Sequence, residues 1–437
     1  MTDYLEDLYF FWQSIDAEKF LRLFWVFLVF DFGRFAFFQC ALVLEHFLGG
    51  KQARRKRALA RSLLRKENPL VSVIAPGKNE GRHIPALAES IRAQSYRNLE
   101  IIVVDDGSND DTPMICGKLL QSGRIDKFFR NPIRGGKASA ANLALRYCRG
   151  KYVLHLDADT HLGPLAIENM LCPFYEDGNI GAVAGDVRVN HPLRDLPVSL
   201  QALEYLKKIS LGRRVASFLG ILRIVSGAFG VFRKDVLDRI GGWDVGPGLD
   251  GDITVKFRKL GYRIAFEPAA VCYTNVPDSF RKLAVQRRRW DRSLIRFRLR
   301  KHSDILIPDA NFKWGTFLAF WENIVFNLVL DLKWWIYIID MGFNFNHLAR
   351  YVLPMNYALY LVTGSVQLLA AVLLMDKEGK IRAVKLAVFL PLMPIYTGVF
   401  LRVVRTYAYF QEFFFKASYF DPWNPWKVSS QAKAAGL

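Results

Sequence analysis

Two apolar regions bracket one long segment of mixed composition, and that layout limits what the chain can fold into. Residues 20–48 are apolar enough, and at ~1.5 Å per residue long enough, to cross a hydrocarbon core of ~30 Å. Three further apolar stretches follow at 317–339, 352–375 and 384–404. Between them lies a segment rich in charge, glycine and short β-branched runs. The order predicts a membrane anchor helix (1–50), a basic juxtamembrane linker (51–68), a soluble domain (69–301), interfacial and transmembrane helices (302–404) and a tail (405–437).

Composition supports the membrane reading. Of the 437 residues, 51% are hydrophobic and 14% aromatic, and the excess sits at the ends. The net charge of +19 permits nucleic acid, anionic lipid or a phosphorylated small molecule as partner. Position decides against nucleic acid: the basic runs at 51–66 and 281–301 border apolar segments, where such residues face the cytoplasm and lipid head groups. Localisation is therefore expected in the inner (plasma) membrane, multi-pass, with the soluble domain cytoplasmic. The five cysteines are scattered, which suits a reducing compartment and argues against zinc or a disulfide framework. The acidic, aromatic N-terminus without a small-residue cleavage site predicts an uncleaved anchor.

Details of the apolar regions add further expectations. Asp31 and Arg34 are spaced to pair on one helix face. The 317–339 stretch, broken by Glu322, Asp331 and Lys333, suits an amphipathic interfacial helix. The short basic loop at 376–382 belongs inside, and Pro391 and Pro394 allow the last stretch either to span or to bend back. The tail, with Trp423 and Trp426, reads as an interfacial aromatic segment.

The soluble segment alternates strand and helix signals. Residues 71–75, 101–104, 152–156 and 180–184 read as strands, and 84–94, 112–120 and 137–147 as helices. Near-continuous apolar strands separated by helices predict a largely parallel sheet buried on both faces, with ligands outside the strands' carboxyl ends. Asp105-Asp106 and Asp157-Ala158-Asp159 fall at such ends. Two carboxylates at i and i+2 in an extended segment point the same way, so Asp157 and Asp159 can converge on a hard divalent cation that also binds nucleotide phosphates. Asp105-Asp106-Gly107-Ser108 suits a base or ribose contact, or simply a capped turn, and Lys78-Asn79-Glu80 can close the other wall of that pocket. Arg134-Gly135-Gly136-Lys137 opens a helix whose backbone N–H groups, with Lys137, can meet a diphosphate.

The order Lys78-Asn79-Glu80, Asp105-Asp106-Gly107-Ser108, Asp157-Ala158-Asp159, Ser226-Gly227-Ala228-Phe229-Gly230, Asp250 and Gln286-x-x-Arg289-Trp290 resembles the processive family-2 glycosyltransferases, which include synthases of cellulose, hyaluronan, chitin-type oligomers and poly-N-acetylglucosamine. Q-x-x-R-W is the specific motif, separating polymerising members from those that add a single sugar. The resemblance implies an α/β domain of GT-A type, with a Rossmann-like mixed sheet, inserted between transmembrane helices. It also implies a nucleotide-diphosphate sugar donor (UDP-sugar), Mg²⁺ or Mn²⁺, inversion at the anomeric carbon, and a polysaccharide or glycan acceptor threaded through the membrane. By the same carry-over Asp105 or Asp106 holds the uridine, while Asp157 and Asp159 hold diphosphate and metal. Asp250 is then the general base, and Gln286, Arg289 and Trp290 line the acceptor channel with Ser226, Gly227 and Ala228.

One departure stands out. Where the family has T-E-D, this chain has Gly248-Leu249-Asp250, followed by Gly251-Asp252, so a shifted loop makes Asp252 the alternative base. With roughly four apolar segments, a closed channel calls for a homo-oligomer or a small membrane subunit. The same count suits a non-processive enzyme adding one sugar to a membrane lipid. A non-catalytic receptor for nucleotide sugars or anionic lipids is the third reading.

Overall fold

The computed structural model describes residues 2–244, 248–307 and 313–420 and separates into two compact units. Residues 51–322 with 401–437 form the larger unit; residues 1–50 with 323–400 form the second. The aromatic tail at Asp421–Trp426 and the connector Pro308 lie outside the described residues.

The larger unit is built on one eight-stranded sheet. Its strands are β1 (Val71–Gly77), β2 (Leu99–Asp106), β3 (Lys127–Asn131), β4 (Tyr152–Leu156), β5 (His161–Leu162), β6 (Ile180–Val189), β7 (Phe229–Arg233) and β8 (Arg263–Thr274). They lie in the order β3-β2-β1-β4-β7-β6-β8-β5. The first four run parallel, β7 is antiparallel to both neighbours, β6 and β8 are parallel, and β5 closes the far edge antiparallel. The sheet is thus mixed, less parallel than the strand pattern alone suggests. A strand covered on both faces is apolar throughout whichever way it runs, so its composition carries no direction. β3 escaped notice for a different reason: it is a half-exposed edge strand whose Lys127 and Arg130 dilute the apolar signal and also discourage edge pairing.

Helices Ile84–Arg92, Thr112–Gln121 and Lys137–Arg146 match the expected segments to within two residues at each end and connect the parallel strands. The last buries Ala138, Ala140, Ala141 and Ala144 against Ile74, Ile102 and Val104. Small side chains at those positions let the helix backbone lie close to the sheet and set the height of Lys137 above the strand ends. Phe232, Trp243 and Phe257 fill the same core, each worth roughly 1.5–3 kcal/mol or more of burial.

The basic run read as a linker is helical, part of Phe38–Glu67. Three of its arginines, spaced four apart, turn inward onto the sheet-bearing unit. Arg57 pairs with Glu267 at 2.6 Å and Glu176 at 2.9 Å, and Arg61 and Arg65 share Glu168 at 3.4 and 2.9 Å. Lys51, Arg54, Arg55 and Lys56 remain exposed.

Among the described residues three helices are long and apolar enough to cross a membrane: Phe27–Glu67, Asn346–Leu374 and Lys377–Phe415. In the second unit Tyr360 donates a hydrogen bond to Asp31 at 2.8 Å. The side chain of Arg34, expected to pair with Asp31, lies outside the described residues.

Candidate active site

Four elements end at one place beyond the carboxyl ends of β1, β2 and β4. Asp157 follows β4 directly, and the Lys137 ammonium at the start of its helix donates to Asp157 Oδ1. Asp250 opens the helix Leu249–Lys259, entered through Gly248 at φ +90°, a left-handed conformation that suits glycine. Gly227, just before β7, holds the contact together. A Cβ there would lie 2.5 Å from Asp250 Oδ1 and 3.0 Å from the Lys137 Nζ, and the Gly227 N–H donates to the Asp250 carboxylate. Burial pushes the Asp250 carboxyl above its ordinary value although Lys137 and the Gly227 N–H pull it down. That shift suits a proton acceptor.

Charge accumulates on the other side of Asp157. Burial, then the Asp157 charge, raises Asp159 to about 6, and burial with Asp159 and Asp157 raises Glu80 to about 7. Thr274 Oγ1 is 3.4 Å from Asp159. Three carboxyls that repel one another in a half-buried pocket form a hard-oxygen donor set with negative charge to spare. No group of three or more metal-ligating side chains is already arranged for a cation among the described residues. Asp157 and Asp159 alone, with Glu80 near them, are ligands of the hard-oxygen kind that a divalent ion takes.

The aspartates that end β2 behave differently. Asp106 is saturated: it accepts from Asn131 Nδ2 at 3.0 Å and from the backbone N–H groups of Gly135 and Gly136 at 2.8 and 2.7 Å. The N–H groups of Gly135 and Gly136 are directed at Asp106, which pins the loop before Lys137. Asp105 accepts from the Ser108 N–H at 3.0 Å and from its hydroxyl, while Arg130 Nε stands 3.2 Å from Oδ2. Ser108 Oγ in turn accepts from Asn79 N at 2.8 Å, and Asn79 Oδ1 from Asn109 N at 3.1 Å. Lys78 to Glu80 and Asp105 to Ser108 are thus braced as two facing walls.

Asp252 is set apart from the site. It is buried, bonded to His302 Nε2 and Lys301 Nζ at 2.7 Å each, and those partners hold its carboxyl below the ordinary value against burial. Leu249, where the family has an acid, is buried in the core, so no second carboxyl stands beside Asp250 from that position.

The helix Phe280–Ser293 is capped by Ser279, whose side chain accepts from Lys282 N, and carries the Q-x-x-R-W residues. The Arg289 charge helps to keep Asp157 ionised, the Gln286 Oε1 is buried without a hydrogen-bond partner, and Trp290 is 42% exposed. Ala228 lies against the turn that follows Asp157, where Thr160 Oγ1 is 3.5 Å from the Ala228 carbonyl.

Three contributors lack a sequence signal. His155, two residues before Asp157, places Nδ1 2.5 Å from the Gly227 carbonyl, so Nδ1 carries the proton. Burial, then Lys137, pushes its pKa down to about 3, and the ring is a neutral strut under Gly227. The Arg213 charge acts on Asp250, while burial lowers its own pKa. Glu204 ties the helix Leu196–Tyr205 to the Q-x-x-R-W helix through Arg287.

The mixed sheet carries paired aspartates at a strand end, a lysine beside them and a raised carboxyl opposite. Over residues 72–241 the chain matches the family described as Glycosyl transferase family 2. It is 32% identical over 222 residues to the poly-beta-1,6-N-acetyl-D-glucosamine synthase of Staphylococcus epidermidis, a match covering 50% of this chain and 53% of that one. It is 33% identical over 214 residues to the enzyme of the same name from Staphylococcus aureus (strain COL), covering 48% and 51%. The chain thus spans about half the length of the curated relatives it matches. A mannosyltransferase from Pyrobaculum calidifontis, solved with GDP-Man and Mn²⁺, shares the fold: TM-score 0.54, 22% identity, 79% of this chain and 87% of that one.

Proposed function

We propose that the chain is an inverting, metal-dependent polysaccharide synthase that moves sugar from a nucleotide-diphosphate donor onto a growing glycan and passes the polymer through the membrane. The convergence of Asp250, Lys137 and Asp157 around the missing side chain of Gly227 carries this reading. The relatives that make poly-β-1,6-N-acetylglucosamine point to UDP-N-acetylglucosamine as the first donor to test.

Asp157 and Asp159, with Glu80 behind them, would hold Mg²⁺ or Mn²⁺, which when bound neutralises charge on the departing diphosphate. The chain's own groups do the rest. Lys137 and Arg289 hold the diphosphate side of the donor, and the walls at Lys78–Glu80 and Asp105–Ser108 enclose the nucleoside. Asp250 takes the proton from the acceptor hydroxyl as its oxygen attacks the anomeric carbon and the diphosphate leaves from the opposite face. Gln286 offers its buried carbonyl oxygen to an acceptor hydroxyl, and Trp290 offers a ring face to the sugar.

Purified protein with radiolabelled UDP-N-acetylglucosamine, UDP-glucose, UDP-glucuronate or GDP-mannose and Mg²⁺ should form ethanol-precipitable polymer with one of them. Only mono-glycosylated lipid would replace the proposal by single-sugar transfer. Only hydrolysis would remove it.

A further inference from the structure

The acceptor tryptophan is exposed on a helix, where a large ring ordinarily samples several orientations. Trp290 is not left so. The Arg287 guanidinium lies over it with Cζ 4.6 Å from the ring centroid, the separation of a stacked cation–π contact. Arg287 and Trp290 are three residues apart on Phe280–Ser293 and share a face. The guanidinium is itself fixed from behind, because Arg287 Nη2 is 2.9 Å from Glu204 Oε2.

Glu204 is an unusual group to find there. Its side chain is only 2% exposed, on a helix buried from Val198 to Tyr205, and its other oxygen takes Lys208 Nζ at 2.9 Å. A buried carboxylate persists when charge partners hold it. Glu204 thus gives Arg287 a fixed anchor on the body of the domain, and Arg287 covers one ring face.

We propose that Glu204 and Arg287 form a clamp that fixes the Trp290 indole, leaving one face open so that the acceptor sugar can stack in a single orientation beside Asp250. Neither residue touches reacting atoms; both are positioning residues, and Glu204 acts only through Arg287. The clamp deepens the reading of Trp290 as an acceptor platform and rests on it. Arg287 is the second residue of the Q-x-x-R-W motif, and its partner lies 83 positions upstream.

A double-mutant cycle tests the clamp in the full-length chain with a soluble β-linked oligosaccharide acceptor. Glu204→Gln and Arg287→Ala should each raise acceptor KM about tenfold or more, with donor KM and kcat within about twofold. Arg287→Lys, which keeps the pair but not the planar stack, should fall between. In a Trp290→Phe background Glu204→Gln should add less than twofold, since residues acting through one another are not additive. A full Glu204→Gln effect in that background, or an equal loss in donor KM, overturns the clamp. A readout free of turnover separates its failure from failure of the synthase reading. The near-UV circular dichroism band assigned to Trp290, as the difference from Trp290→Phe, should be present without sugar and collapse in Glu204→Gln and Arg287→Ala. Its persistence in both also overturns the clamp.

Discussion

Two pairs of aspartates close the strands on either side of β1, and they reach opposite electrostatic states. Asp105 and Asp106, the last residues of β2, are buried and met by hydroxyl, guanidinium, amide and backbone donors. Asp157 and Asp159, after β4, are crowded by Glu80, and only Asp157 has a cation in contact, Lys137. A satisfied carboxylate organises structure, whereas a frustrated one is prepared for something that arrives later. The same contrast recurs on one helix. Asp252 is enclosed by His302 and Lys301, while Asp250 keeps a raised pKa beside Gly227.

That contrast predicts effects of different kinds. Asp250→Asn should lower turnover by about a thousandfold with donor binding retained. Asp252→Asn should instead lower the melting temperature and leave residual enzyme active per folded molecule. Equal catalytic loss in both would erase the distinction between them.

Asp106→Ala should cost about 3 kcal/mol of stability, because two backbone N–H groups and the Asn131 amide lose a charged acceptor. Thermal or denaturant unfolding checks it, and a silent substitution would show that the pin is dispensable.

Cation binding should expel protons. Glu80 at about 7 and Asp159 at about 6 hold protons that an unfolded chain would have released near pH 4. The cation-free domain therefore gains stability as pH falls from about 7 toward 4, and a divalent ion must displace those protons. Calorimetry with Mn²⁺ in buffers of different ionisation heat should find about one proton released at pH 6.5 and almost none at pH 8.5.

The smallest effect concerns the acid limb of the rate profile. A proton acceptor at Asp250, as proposed, must be ionised, and burial raises its pKa. Activity should therefore fall with decreasing pH at a midpoint above the ordinary aspartate value of about 3.9.

Much of this was legible in the residues. The apolar run of β4 ending in Asp157-Ala158-Asp159, and the Lys137 helix with its alanine face, are local patterns, and the structure places both where the periodicity puts them. What was not legible depends on partners distant in sequence. Asp105 and Asp106 are indistinguishable as letters, yet adjacent strand residues point to opposite faces, so one meets the Gly135–Gly136 loop and the other Ser108. Positions 250 and 252 are separated by about 200° around a helix, and only the fold shows which side faces Lys137 and which His302. Glu204 carried no signal, because its partner is 83 residues away.

Gly227 gives the site an address that its carboxylates do not. Since even a methyl group would fall on Asp250 Oδ1, alanine at this position displaces the Asp250 carboxylate without altering its chemistry. A saturation scan should therefore show Gly227 and Asp250 as twin intolerant positions, 23 residues apart, with the same signature: donor still bound, transfer gone. In a newly sequenced relative, a residue other than glycine at this place would announce a rebuilt or silent catalytic centre before any assay is run.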